Sequence, residues 1–145
     1  MNTKKQSKTN FPSRSFVVFW LPTFIWAVVI CYLSLNDSDL SEIKFRFILE
    51  SDKIAHLLMY FVLTVLLIRS WVGVFSSKAL LYMLFISSVQ VISFSILLEG
   101  LQKLLTSTRQ FSFDDIFANI AGTVFGAIIM LIFYTYLSQK SSQNQ

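Results

Sequence analysis

The sequence predicts an all-α, polytopic membrane protein: a four-transmembrane-helix bundle with both termini cytoplasmic. Three observations carry that prediction. Four stretches of the 145-residue chain hold no Asp, Glu, Lys or Arg, at 15–36, 54–68, 79–98 and 116–139. The chain is 54% hydrophobic and only 14% charged, where an ordinary soluble domain carries about 25% charged residues. The basic residues collect on one side of the apolar stretches, as they do on the cytoplasmic side of membrane proteins. This composition excludes disorder, collagen-like fibres and disulfide scaffolds. A single cysteine, Cys31, has no partner for an internal disulfide, and the length fits one domain.

The elements follow in order. A membrane-spanning helix needs about 20 mostly apolar residues. The first helix, about 15–36, meets that length behind a basic tail (1–14) with Lys4, Lys5, Lys8 and Arg14. A signal peptide would share the basic leader, but this apolar core is long and lacks a small-residue cleavage site. The outer loop, 37–51, contains Asp39-Leu40-Ser41-Glu42, which resembles a helix capping box. A short helix on the outer membrane surface would suit it. The alternation Ile43-Lys44-Phe45-Arg46-Phe47 would equally suit an extended piece. The second helix, about 52–75, has a shorter charge-free run, continued by Trp71–Phe75 beyond Arg69, whose long side chain can snorkel to the headgroups. The third spans about 79–102. The fourth spans about 115–137 and opens at Asp114-Asp115, either of which could cap it, as could Ser112. A polar, mobile tail is expected at 138–145. Backbone amides in lipid need internal partners, which helices provide. The segments do not alternate as β-barrel strands do.

An even helix count puts both termini on one side. That side collects Lys4, Lys5, Lys8, Arg14, Arg69, Lys78 and Lys140 and no acid; the other holds Lys44, Arg46, Lys53, Lys103, Arg109 and every acid in the chain. The positive-inside rule makes the first side cytoplasmic. Trp20, Trp71, Tyr82, Tyr134 and Tyr136 fall near that interface, as an aromatic belt would. The basic balance therefore points to the anionic inner leaflet as partner, and not to nucleic acid.

A few polar residues interrupt the apolar helices. Asp52, His56 and Tyr60 lie at i, i+4 and i+8, on one face of the second helix, with Lys53 adjacent. Ser88, Ser95, Glu99 and Gln102 form a stripe on the third, with Gln90 and Ser93 as further polar positions. Asp115, Asn119, Gly122 and Gly126 share a face of the fourth, where the two glycines form a small-xxx-small pair. The bland readings are capping for Asp52, interfacial placement for Lys53, a carbonyl contact for His56 and close helix packing for the serines. Against them stands the rule that an ionisable group inside a membrane bundle is a functional candidate. Glu99, among leucines, needs a partner, and Arg109 is the first choice, with Lys53, Lys103 or His56 as others. Asp52, Lys53, His56, Glu99, Gln102, Arg109, Asp115 and Asn119 all fall at the outer end, with Tyr60 deeper. If their faces converge, they form a shallow polar pocket opening to the outer leaflet. One histidine and scattered carboxylates at no ligand spacing argue against a metal, and no cofactor is implied.

These residues resemble the VanZ-like family. Asp52-Lys53-Ile54-Ala55-His56 with Tyr60 looks like its D-K-x-x-H-x-x-x-Y signature. Glu99 to Gln102, then Arg109, Ser112, Asp115, Asn119 and Gly122, resembles its E-x-x-Q … R-x-x-S-x-x-D-x-x-x-N-x-x-G stretch. The resemblance covers roughly 15–137 and implies a small integral membrane protein with a four- or five-helix domain. The family is named for a protein linked to low-level teicoplanin resistance; no biochemical activity comes with the likeness. It puts Asp52, Lys53, His56, Tyr60, Glu99, Gln102, Arg109, Ser112, Asp115 and Asn119 at signature positions.

Two functions are expected from this pattern. The first is a cell-envelope membrane protein whose pocket binds a lipid headgroup, a cell-wall precursor or a partner protein, and which modulates glycopeptide (teicoplanin) susceptibility. The second is an intramembrane enzyme on a lipid-linked envelope substrate, with His56 and Glu99 as acid–base pair and Asp115 as a further catalytic candidate. The lack of an evident nucleophile beside His56 favours binding.

Overall fold

The computed structural model describes residues 13–36, 52–75, 79–106 and 112–143. Among them the chain is all-helical: α1 is Ser13–Leu35, α2 Asp52–Phe75, α3 Leu80–Leu105 and α4 Phe113–Gln143. Each is long and apolar enough to cross a membrane. The expected outer-loop element at 37–51 and the Arg109 partnership lie outside the described residues.

Consecutive helices run antiparallel, so α2 and α4, the most extensive pair, run parallel, with Gly122 beside Leu57 and Gly126 beside Phe61; α2 and α3 each touch all three other helices. α1 packs on α2 and α3, while α4 packs on the same two helices. Trp20 of α1 meets Trp71 of α2 edge-on at 5.1 Å, and Val72, Leu80 and Tyr134 share one apolar cluster. The start of α1, the end of α2, the start of α3 and the last third of α4 therefore lie at one end of the bundle. A second cluster of Ile30, Tyr60, Leu63, Leu67, Val91 and Leu98 fills the middle between α1, α2 and α3.

The closest helix contact is set by two small residues. A Cβ on Gly122 would stand 2.1 Å from the Leu57 carbonyl oxygen, and one on Gly126 would stand 3.0 Å from that of Phe61. Only hydrogen at these positions lets the α2 and α4 backbones approach so far. Pro22 lies inside α1 and cannot donate to the Val18 carbonyl. One residue on, the Phe19 carbonyl lies 2.7 Å from Ser70 Oγ, and Thr23 Oγ1 is 2.8 Å from the same hydroxyl. A neighbouring helix thus supplies polar contacts beside the proline, which is how membrane bundles tolerate one.

Polar and apolar residues are distributed inside out. As many polar as large apolar side chains are buried among the described residues, whereas Phe24, Leu81, Phe85 and Leu104 are two-thirds exposed or more. A water-soluble monomer seldom exposes so continuous an apolar surface; a bundle facing hydrocarbon is expected to.

Some bounds differ from expectation. α4 runs through 138–143, expected as a mobile tail. Those residues contain no Gly or Pro to stop the helix, and Lys140 suits its negative C-terminal end. α3 continues to Leu105, where Thr106 ends it in an extended conformation. The buried α3 stripe holds Ser87, not Ser88: its steps are four, four and four from Ser87 through Val91 and Ser95 to Glu99. Ser88 instead bonds to its own helix at the Leu84 carbonyl, and Gln90 and Ser93 are exposed.

Candidate functional site

The sequence placed the polar residues at one depth; the fold decides which of them meet. His56 is held on α2 one turn inside the helix start, and Asn119 on α4 faces it because Gly122, three residues on, draws the two backbones together. His56 Nδ1 and Asn119 Oδ1 are hydrogen-bonded at 3.1 Å. Asn119 Nδ2 donates to Ser95 Oγ of α3 at 2.8 Å. His56, Asn119 and Ser95 make a chain joining three helices, and each is 3% exposed or less. Polar groups away from water must find partners, and these find one another.

A second polar group lies at the junction of α3 and α4. Glu99 Oε1 accepts the Ser112 backbone N–H at 3.0 Å. Ser112 is the N-cap of α4: its Oγ accepts the Asp115 N–H at 3.3 Å and its carbonyl accepts that of Ile116 at 3.3 Å. A carboxylate beside these N-terminal amides also suits the positive end of the helix dipole. Of the three capping candidates it is Ser112 that caps α4. Asp114 points outward and pairs with Lys53 at 2.5 Å, both groups being exposed. That pair bridges the first turns of α2 and α4, about one turn from the His56–Asn119 bond along the helices.

The remaining residues divide. Gln102 is buried, but its amide donates to the Ser34 carbonyl at 2.9 Å, so it satisfies an orphan carbonyl in the last turn of α1. Asp115 is half-buried in the first turn of α4, and its carboxylate makes no hydrogen bond or ion pair among the described residues. Asp52 opens α2; its side chain and all of Arg109 lie outside the described residues. His56, Glu99, Gln102 and Asn119 are all buried, each 3% exposed or less. The described residues hold no group of three His, Cys, Asp or Glu side chains that could bind a metal ion.

Asp114 and Ser34 are not among the residues that the sequence points to at the site, and the spacing of Ser95 suits helix packing equally. Asp114 could have been suspected from its place at a helix start facing a lysine. Ser34 acts through its backbone carbonyl, which leaves no sequence signal.

No protein-family model, curated protein or solved structure matches this chain.

Proposed function

We propose that this chain is a multi-pass protein of the cell membrane, with both termini cytoplasmic, whose outer polar cluster binds the headgroup of a lipid or a lipid-linked envelope precursor. The observation that carries this reading is the buried chain His56–Asn119–Ser95 in a bundle otherwise faced with apolar side chains. Burying three polar groups lowers stability relative to apolar packing unless every group is satisfied. Such groups in a membrane bundle mark functional positions. Lys53 and Asp114, exposed above the cluster, supply the charges that a zwitterionic or anionic headgroup would meet first.

Binding is favoured over catalysis by a specific contact. The Asn119 carboxamide bonds to both His56 and Ser95 and so stands between the imidazole and that hydroxyl. The imidazole is thus not in position to take the Ser95 proton, as a nucleophilic mechanism requires. The likeness to the VanZ-like family adds altered teicoplanin susceptibility as the cellular readout.

The test uses the full chain in nanodiscs. Native mass spectrometry with a polyprenyl diphosphate, phosphatidylglycerol and phosphatidylcholine should show retention of one headgroup class by the wild type. Lys53→Ala and Asn119→Ala should weaken that retention while α-helicity is kept. Equal retention of all three lipids by wild type and variants would exclude the site.

A further inference from the structure

The end of the bundle opposite the His56–Asn119 bond carries charge of one sign. No Asp or Glu precedes Asp37, falls between Asp52 and Glu99 or follows Asp115, so the helix ends gathered there bring Arg14, Arg69 and Lys140 and no acid. Arg69 is half-buried on α2, six residues before Phe75 ends the helix. It has no ion-pair partner among the described residues; its guanidinium lies instead over the Phe19 ring of α1, 5.1 Å from the centroid. A guanidinium resting on an aromatic face keeps the N–H groups of its edge for another partner. Gly73 makes room for this platform. It stands one turn beyond Arg69 on the same face of α2, and a Cβ there would come 2.6 Å from the Phe19 ring. With hydrogen in that place, the ring packs against the α2 backbone.

The direction in which Arg69 faces follows from its neighbours. Ser70 and Gly73 meet Phe19 of α1, Phe61 and Thr64 meet Gly126 of α4, and Trp71 bonds to Gln90 of α3. On the helical wheel Arg69 falls opposite Trp71 and between the other two sets, so it looks away from α3 towards the gap between α1 and α4. These two helices pack on α2 and α3 and little on each other. Along the same face of α2 stand the apolar residues Val65, Val62 and Leu58.

We infer that Arg69, seated on Phe19, binds the phosphate of an anionic phospholipid from the leaflet at the termini end of the bundle, with the acyl chains along the apolar surface between α1 and α4. A cation at this depth needs an opposite charge, and the chain supplies none at this end. The guanidinium edge matches two phosphate oxygens at once, and basic pockets between spanning helices bind lipid headgroups in this way. Snorkelling would explain a cation near the interface, but it does not require a glycine that seats an aromatic platform. Free phosphate offers the same oxygens without the acyl chains. The site is 13 residues from His56 along α2, about 20 Å, and does not depend on the reading of that cluster.

The test is native mass spectrometry of the full chain, purified in detergent, with equal amounts of phosphatidylglycerol and phosphatidylcholine. The wild type should retain phosphatidylglycerol in preference. Arg69→Gln should lower that preference about fivefold, the factor that one basic residue near an anionic surface is worth. Arg69→Lys keeps the charge without the two-pronged edge and should fall between. Gly73→Ala displaces the Phe19 ring, leaves every charge in place and should also lower the preference. Lys140→Gln removes an exposed charge from the last turn of α4 and should not. In thermal unfolding, phosphatidylglycerol should raise the midpoint of the wild type and not that of Arg69→Gln, and inorganic phosphate should raise neither. A wild type without preference, or an Arg69→Gln variant that keeps it, would overturn the site. Equal losses in Lys140→Gln and Arg69→Gln would reduce it to general attraction, and stabilisation by inorganic phosphate would make it a site for the free anion; either result overturns the proposal. A preference kept by Arg69→Gln but lost in Asn119→Ala would place the lipid at the other cluster and refute this site alone.

Discussion

Asn119 touches α2 through His56 and α3 through Ser95, so one side chain joins three helices. Asn119→Ala removes a partner from each of two buried groups, and it should cost about 1–3 kcal/mol. Reversible unfolding in detergent measures it, and an unchanged midpoint would refute the network's structural weight. At the α3–α4 junction, Ser112→Ala removes a helix cap and should cost about 1 kcal/mol. Glu99→Gln keeps an oxygen for the Ser112 N–H and should be tolerated better than Glu99→Ala. Equal losses for those two would mean that charge, and not hydrogen bonding, holds the junction. Residue type and spacing were enough to single out His56, Glu99 and Asn119. They could not separate Ser87 from Ser88, because steps of four and of seven both stay near one helix face. Gln102 illustrates the opposite limit: its position was legible, but its partner is a backbone carbonyl from a distant helix.

Helix pairing depends on two glycines, and a third supplies the control. Gly122→Ala places a methyl 2.1 Å from a backbone oxygen that no side-chain rotation can move. The α2–α4 pair must separate, at about 1–3 kcal/mol or more, and His56 and Asn119 separate with it. Gly126→Ala should be milder, its nearest contacts lying at 3.0 Å. Gly100, in α3, has nothing within 4 Å of the added carbon, so Gly100→Ala should stabilise by about 0.5–1 kcal/mol through backbone entropy. Thermal unfolding of the three variants checks the order; a destabilised Gly100→Ala with a normal Gly122→Ala would contradict the packing. The helices themselves were legible because hydropathy over about 20 residues integrates many weak preferences. Their ends were less so, as α4 shows by continuing through polar residues beyond 137.

For the molecule as a whole, lipid is the solvent that suits this surface, with buried polar groups and exposed phenylalanines and leucines. Extraction should require detergent, and alkaline carbonate washing should leave the protein in the membrane fraction. Orientation is tested with a membrane-impermeant thiol reagent on a Cys31→Ser background: Ser41→Cys should label in intact cells and Ser141→Cys only after lysis. The reverse pattern would invert the bundle and place the polar cluster at the cytoplasmic face. The sequence by itself determined four helices long and apolar enough to span a membrane, the charge asymmetry between their ends and the level of each polar residue along its helix. These depend on composition along one dimension. The tertiary structure alone decided that Asn119 meets both His56 and Ser95, that Glu99 braces the start of α4, and that Lys53 pairs with Asp114. Those pairings depend on the rotation of each helix about its axis, which is set by how close the facing backbones can come.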